Sequence, residues 1–266
     1  MVISVGLRIL KTDPTHSILS QFENTTAVEH LCFCIQGYWS GFPMADLYGW
    51  LTDTALPLWW TVGADRVRGG FHEAIRQDGT AVVSNRRAHV ASRQVYVYAT
   101  AAKAGLPGPW REAVEHGMAF ITSRFLRPDG VMRSILTPEG EPLGDEVKLY
   151  GQAFCLFAFA AAAAIALEPD AQTARAQRLL QALRADWALP SGGFIEYEPH
   201  AYQANPHMHL FEASLALEEV STAPEWPALA DEIAEMALTR FIDPVSGVLR
   251  EFFTSDWRAA PGDAGR

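Results

Sequence analysis

Four glycines set the frame of this sequence. Gly70, Gly130, Gly193 and Gly247 each open a short strand-like piece, at steps of 60, 63 and 54 residues. Each is followed by Phe or Val, one further residue, and then Glu or Arg. Between consecutive pieces the apolar periodicity leaves room for two helices each time. A helix pair repeated at such a spacing cannot bury its apolar face alone and must stack on its neighbours. The repeat therefore predicts stacked αα-hairpins.

The first helix is expected from Asp46, with Leu47, Leu51, Ala55, Leu58, Trp59 and Val62 on one face, Pro57 as a kink and Gly63 as its stop. The second runs from about Arg87 to Lys103. The third begins behind Pro109 and buries Trp110, Val114, Met118, Ile121 and Phe125. The fourth, from about Glu146 to Leu167, is rich in alanine, and the fifth is capped by Asp170. The sixth starts at Asn205 as N-cap with Pro206 in first position, and the seventh spans about Glu225 to Phe241. Helices three, five and seven have one apolar and one charged face, as an outer layer should. Helices two, four and six are apolar or alanine-rich around most of their circumference, as an inner layer should be. That contrast favours an all-α toroid over a linear solenoid, with short β-hairpins at one end. Residues 1–43 show no clear period and are expected to form an irregular N-terminal extension to a barrel domain over 44–266.

Composition narrows the class of function. A net charge of −10 excludes the basic stripe that phosphate-backbone contacts require, so no nucleic-acid partner is expected. The 17 uncharged residues from Gly151 to Leu167 contain many alanines and suit a doubly covered core helix better than a membrane span. Cys32, Cys34 and Cys155 make no disulfide framework, and a reducing cytoplasm is the expected location. Cys32-Phe-Cys34 has no companion Cys/His pair at ligand spacing and reads as packing rather than as a metal or redox site.

Polar residues collect where the otherwise apolar inner helices begin. They are Arg86, Arg87 and Arg93; then Lys148, Tyr150 and Gln152; then Asn205, His207, His209 and Glu212. His209 and Glu212 are three apart and share a helix face. On its own that stretch reads equally as a core histidine held by a carboxylate or as part of a site. Cations at helix N-termini are electrostatically awkward unless something anionic or oxygen-rich lies between them. The alternative is that the arginines simply pair with acids such as Glu73 or Glu196. Trp59, Trp60, Phe71, Phe194 and Tyr197 fall at the same end, where aromatic faces suit sugar rings, although each singly also suits core packing.

The segments GGFHEAIRQDG, RRAHVASRQVYVYATAAKAG, KLYGQAFCLFAFAA, GGFIEYE and NPHMHLFEASLAL together resemble the N-acylglucosamine 2-epimerase family of sugar 2-epimerases and mannose isomerases. The resemblance runs from about Asp46 onward and implies an (α/α)6-type toroid. It implies chemistry at C2 of an aldose through an enediolate, with histidines exchanging the proton and no metal or redox cofactor. By motif, Arg93 would hold the oxygens that become negative, and Tyr150 and Asn205 would bind hydroxyls or the carbonyl oxygen. His209 would assist ring opening or proton transfer, with Glu212 as its orienter. His89 stands where many family members carry tryptophan, so the substrate wall is expected to differ.

The family's further acid/base histidines lie beyond the last residue, Arg266, and about four repeats of roughly 60 residues do not close a ring of six. The chain is thus expected to represent the N-terminal two-thirds of such a barrel and to be weakly active or inactive alone. Its partner would be a monosaccharide or other small sugar, with no membrane partner, and its uncovered apolar edges would favour a homo-oligomer. Two other classes stay open. One is an α/α-barrel glycoside hydrolase or lyase using a pair among Asp145, Glu146, Glu196 and Glu212. The other is a non-catalytic sugar-binding fragment.

Overall fold

A computed structural model describes residues 44–196 and 200–262, so the expected 1–43 extension lies outside the described residues. The chain divides into two compact units, residues 1–55 and 56–266. In the first, helix α1 (Met44–Trp50) is followed by a π-helical turn, Leu51–Ala55. All else described here belongs to the second unit.

That unit contains α2 (Ala88–Lys103), α3 (Trp110–Phe120), α4 (Leu149–Ala164), α5 (Pro169–Asp186), α6 (Ala204–Val220) and α7 (Glu225–Met236). The inner helices α2, α4 and α6 pack side by side, and each is backed by the outer helix that follows it, α3, α5 or α7. The two layers match the circumference rule in the sequence. In α4 almost every residue from Leu149 to Ala163 is buried, because α2, α5 and α6 cover it on three sides. In α3 the predicted stripe of Trp110, Val114, Met118, Ile121 and Phe125 is buried throughout, at 4% exposure or less. No helix among the described residues is long and apolar enough to cross a membrane. Cys155 is buried in α4, and burial pushes its thiol pKa up.

Each strand-like piece proves to be a tight turn closed by an isolated bridge rather than a full strand. The bridges are Ala64–Phe71, Leu126–Met132, Ala188–Phe194 and Ile242–Leu249. The N–H groups of Gly69 and Gly247 bond the carbonyls four residues back, Asp65 and Asp243, and those of Gly130 and Gly192 the carbonyls three back, Arg127 and Leu189. Each of these glycines stands two residues before the bridged Phe71, Met132, Phe194 or Leu249. All four have positive φ, from 70 to 101°, which glycine adopts without strain. The repeat therefore runs through the first glycine of each Gly-Gly pair, and the marker positions Gly70 and Gly193 are one residue too far along. In the corrected register the steps are 61, 62 and 55 residues.

The regular strands join different repeats. β1 (Arg86–Arg87) enters α2 and pairs antiparallel with β2 (Ile135–Leu136); β3 (Tyr202–Gln203) enters α6 and pairs with β4 (Phe252–Phe253). This pairing corrects the expected N-cap of α6. Gln203 is held extended at the cap position, the Ala204 N–H bonds to the Glu251 carbonyl, and Asn205 becomes the second helical residue. Asp170 is likewise not a cap. Glu168 holds that place in a left-handed conformation, and Asp170 lies in the first turn of α5, where its charge faces the helix's positive end.

Inner and outer layers meet closely at Gly117 of α3. A Cβ added there would lie 2.6 Å from Val95 Cγ2 and 3.0 Å from Phe71 Cε2. Overpacking of this kind costs about 1–3 kcal/mol, more than the helix propensity alanine gains over glycine. Gly117→Ala is therefore expected to lower the urea midpoint at unchanged m-value, and a raised midpoint would contradict the packing.

Candidate active site

The N-caps of α2, α4 and α6 are Arg87, Lys148 and Gln203. Counting from these caps, equivalent positions of the three repeats fall on common rungs. Two residues on are His89, Tyr150 and Asn205; six residues on are Arg93, Phe154 and His209. Positions four apart share a helix face, so both rungs look the same way.

The side chains on these rungs touch. His89 meets the Tyr150 ring edge-on at 5.3 Å between centroids. The Arg93 guanidinium lies 4.1 Å above the Phe154 ring, and Phe154 lies 4.5 Å from the His209 ring. Tyr150 links the rungs, since its hydroxyl accepts a 2.5 Å bond from Arg93 Nη2 and its ring meets His209 at 5.1 Å. His209 Nδ1 is 2.8 Å from Glu212 Oε2, the i,i+3 pair expected from the sequence. The carboxylate can only accept, so in the neutral ring the proton sits on Nδ1 and Nε2 is the acceptor.

A cavity of about 350 Å³, large enough for a small sugar, is lined by Arg87, His89, Lys148, Tyr150, Glu196 and Asn205 among others. Arg93, His209 and Glu212 are not on that lining. They lie about one helical turn further along and reach it through Tyr150. Burial pushes the His89 pKa down to about 4, helped by the positive charges of Arg87, Arg93 and Lys148, so the ring is neutral near pH 7. Among the described residues no group of His, Cys, Asp and Glu could hold a metal ion.

Several polar residues that open the inner helices have partners within the protein. Arg86 is 2% exposed and pairs at 2.5 Å with buried Asp65. Exposed Arg87 bonds Glu73 at 2.7 Å, so the carboxylate-pairing alternative holds for these two arginines; Arg93 instead bonds a tyrosine. Glu196 accepts the N–H groups of Leu149 and Tyr150, both at 3.0 Å, and so fixes the start of α4. Gln152 and His207, each four residues past its cap, tie their helices to the preceding turn. Gln152 bonds the backbone of Met132, while His207 accepts the Phe194 N–H at 2.9 Å and donates to the Gln203 carbonyl at 2.7 Å. Among the aromatic candidates Phe71 and Phe194 are core residues, and Trp60 packs on Phe71 and Tyr98. Tyr197 lies outside the described residues.

Burial lowers the His207 pKa from 6.5 to about 4. Between those values the unfolded chain binds a proton that the native chain does not. Stability is then complete above pH 6.5 and falls toward pH 4, by up to about 3 kcal/mol. Urea unfolding at a series of pH values should show this slope, and His207→Gln should reduce it. An unchanged slope in the variant would rule His207 out.

A sequence profile of the N-acylglucosamine 2-epimerase (GlcNAc 2-epimerase) family matches residues 69–266. The chain belongs to that family. Mannose-6-phosphate isomerase of Rhizobium meliloti (strain 1021) is 43% identical over 226 residues, which cover 83% of this chain and 58% of that protein. Cellobiose 2-epimerase from Bacillus thermoamylovorans B4167 superposes with a TM-score of 0.75 at 16% identity, covering 81% of this chain and 60% of its own. A D-mannose isomerase superposes at 0.71 with 19% identity, covering 83% and 59%. The chain thus spans about 60% of the length of these relatives, and over that span its inner and outer helices share the α/α toroid fold of the epimerases.

Within this N-acylglucosamine 2-epimerase domain the structure brings the residues named from motifs close together: Tyr150 touches both Arg93 and His209, His89 and Asn205 line the cavity, and Glu212 holds His209. Phe154 was missed. It stands four residues after Tyr150 in an alanine-rich run, which places it on the same face, and that spacing was the available signal.

Proposed function

We propose that these residues form the sugar-holding wall and one proton-transfer group of an enzyme acting at C1 and C2 of an aldose, as a 2-epimerase or an aldose–ketose isomerase. The observation that carries this reading is the chain Glu212–His209–Tyr150–Arg93, which sets an oriented imidazole beside a guanidinium and a phenol. In the open-chain sugar, Arg93 and Tyr150 would hold the carbonyl oxygen. When the proton leaves C2, the electron pair moves onto that oxygen, and the guanidinium stabilises the resulting enediolate. Returning the proton to C2 on the other face inverts that carbon, while returning it to C1, with the C2 hydroxyl proton passing to O1, gives the ketose. His209 Nε2 serves the proton steps at this end, with Glu212 stabilising the imidazolium that forms.

The 43% identical relative, described as a mannose-6-phosphate isomerase, supports mannose or its 6-phosphate as the substrate class. A glycosidase pair is less well supported, because three of its four candidate acids have other duties. Glu196 caps α4, Glu212 orients His209, and Glu146 pairs with Lys148 at 3.2 Å. The test is incubation of the protein with mannose and with mannose 6-phosphate in deuterated water. Slow incorporation of deuterium at C2 is the expected result for this chain. Release of sugar from a mannoside without exchange would overturn the reading in favour of hydrolysis.

A further inference from the structure

The rung nearest the helix starts has no part in that chemistry, yet it carries Arg87 and Lys148 at equivalent positions of two repeats, with neutral Gln203 at the third. Resting on the function proposed above, we propose that Arg87 and Lys148 form an anion subsite for a phosphate at the end of the sugar remote from its reacting carbons.

The geometry has three parts. First, both residues line the same cavity as Tyr150 and Asn205. Second, the cap rung and the Arg93–Phe154–His209 rung are six residues apart on each helix, a rise of about 9 Å at the helical pitch. That is close to the reach of an extended hexose from its first two carbons to a substituent on C6. Third, each cation stands at a helix N-terminus with a carboxylate, Glu73 or Glu146, as its present counter-charge, so a phosphate there would take over or share a role that the site already provides for an anion. The same charges, with Arg93, help to hold His89 neutral.

The present partners do not block this role. Arg87 bonds Glu73 while 54% exposed, and Lys148 bonds Glu146 while 45% exposed. The Lys148–Glu146 pair is exposed on both sides, so it is weak and readily exchanged for a phosphate dianion. Glu73 is 10% exposed and holds Arg87 through Nε, which leaves the Nη groups of the guanidinium to grip the phosphate beside that pair. Glu196, on the same wall, is engaged with the α4 backbone.

The experiment compares binding of mannose 6-phosphate, mannose and inorganic phosphate to the protein by calorimetry, at low and high salt. We expect the phosphorylated sugar to bind at least tenfold more tightly than mannose, with the preference shrinking as salt rises. In Arg87→Gln/Lys148→Gln the ratio of the two affinities should fall toward one. Lys148→Gln alone changes an exposed side chain and should give a partial fall even if the double variant folds poorly. Equal affinities in the parent protein, or a preference that survives both variants, would overturn the subsite. That failure is separable from failure of the C2 chemistry. Exchange with mannose but no phosphate preference sinks only the subsite, whereas binding of mannose 6-phosphate without C2 exchange sinks the reaction.

Discussion

Replacing His209 with alanine is expected to slow C2 deuterium exchange by about 10²–10⁴-fold, the usual contribution of a positioned general acid or base. The size follows from the surroundings of the ring. One nitrogen is committed to Glu212 at 2.8 Å, and the ring is wedged against Tyr150 and Phe154, so tautomer and orientation are set before substrate arrives. The side chain is 19% exposed, enough to reach a substrate. Glu212→Gln should cost less, because the ring keeps its place and loses only the charge that stabilises imidazolium. The loss in His209→Ala should fall on the exchange rate, with the thermal midpoint little changed. A variant that exchanges C2 hydrogen within a few-fold of the parent would remove His209 from the mechanism.

The largest effect on stability is expected at Asp65. Its Oδ2 pairs with Arg86 at 2.5 Å, and its Oδ1 accepts the N–H groups of Val67 and Arg68 at 3.0 and 2.9 Å. Burial pushes the Asp65 carboxyl up, but the Arg68 and Val67 N–H groups and the Arg86 guanidinium outweigh it and hold the pKa below the usual carboxylate range. Arg86 also donates to the Gly69 carbonyl and lies over the Phe120 ring, so it cannot swing out to solvent without breaking the first turn. Asp65→Ala leaves that guanidinium buried and unpaired, at a cost of about 3–5 kcal/mol. In a chain of this size each kcal/mol lowers the melting temperature by roughly 2–4 °C. A drop of about 6–20 °C is therefore the expected readout by calorimetry. Asp65→Leu combined with Arg86→Met should recover much of it, since removing both charges removes the uncompensated one. A single variant that melts with the parent would mean the pair is not desolvated as the structure shows.

How much of this was legible in the sequence depended on the range of the interaction. Helix extents and the two layers were readable because periodicity and circumference are local. The α7 pattern ending at Phe241, for instance, survives as Glu225–Met236 plus a π-turn over Ala237–Phe241. Asn205 was misread as a cap because its neighbours' hydrogen bonds come from Glu251, far away in sequence and joined only by the β3–β4 pairing. Asp65 could not be matched to Arg86 for the same reason. Between α2 and α4 the rungs were hidden by one residue. Counted from Gly70 and Gly193 the repeats are out of phase, whereas from Gly69 to Gly130 and from Arg87 to Lys148 the step is 61 residues alike. With the correct glycine, the alignment of Arg93 with Phe154 would have marked Phe154 without any structure.

The way the turns are shared has a consequence for how such a chain loses its order. The Ala88 N–H is held by the Ser134 carbonyl, the start of α4 by Glu196, and the start of α6 by Glu251, so each inner helix is closed by a turn lying two helices downstream. Repeat proteins coupled only through packed faces can fray unit by unit from an end. Here each unit is overlapped by the next like a roof tile, and fraying at one turn opens the substrate wall of the unit before it. Damage should therefore be felt upstream of where it occurs: a lesion at Glu251 loosens the helix that carries His209, while its own turn remains hydrogen-bonded.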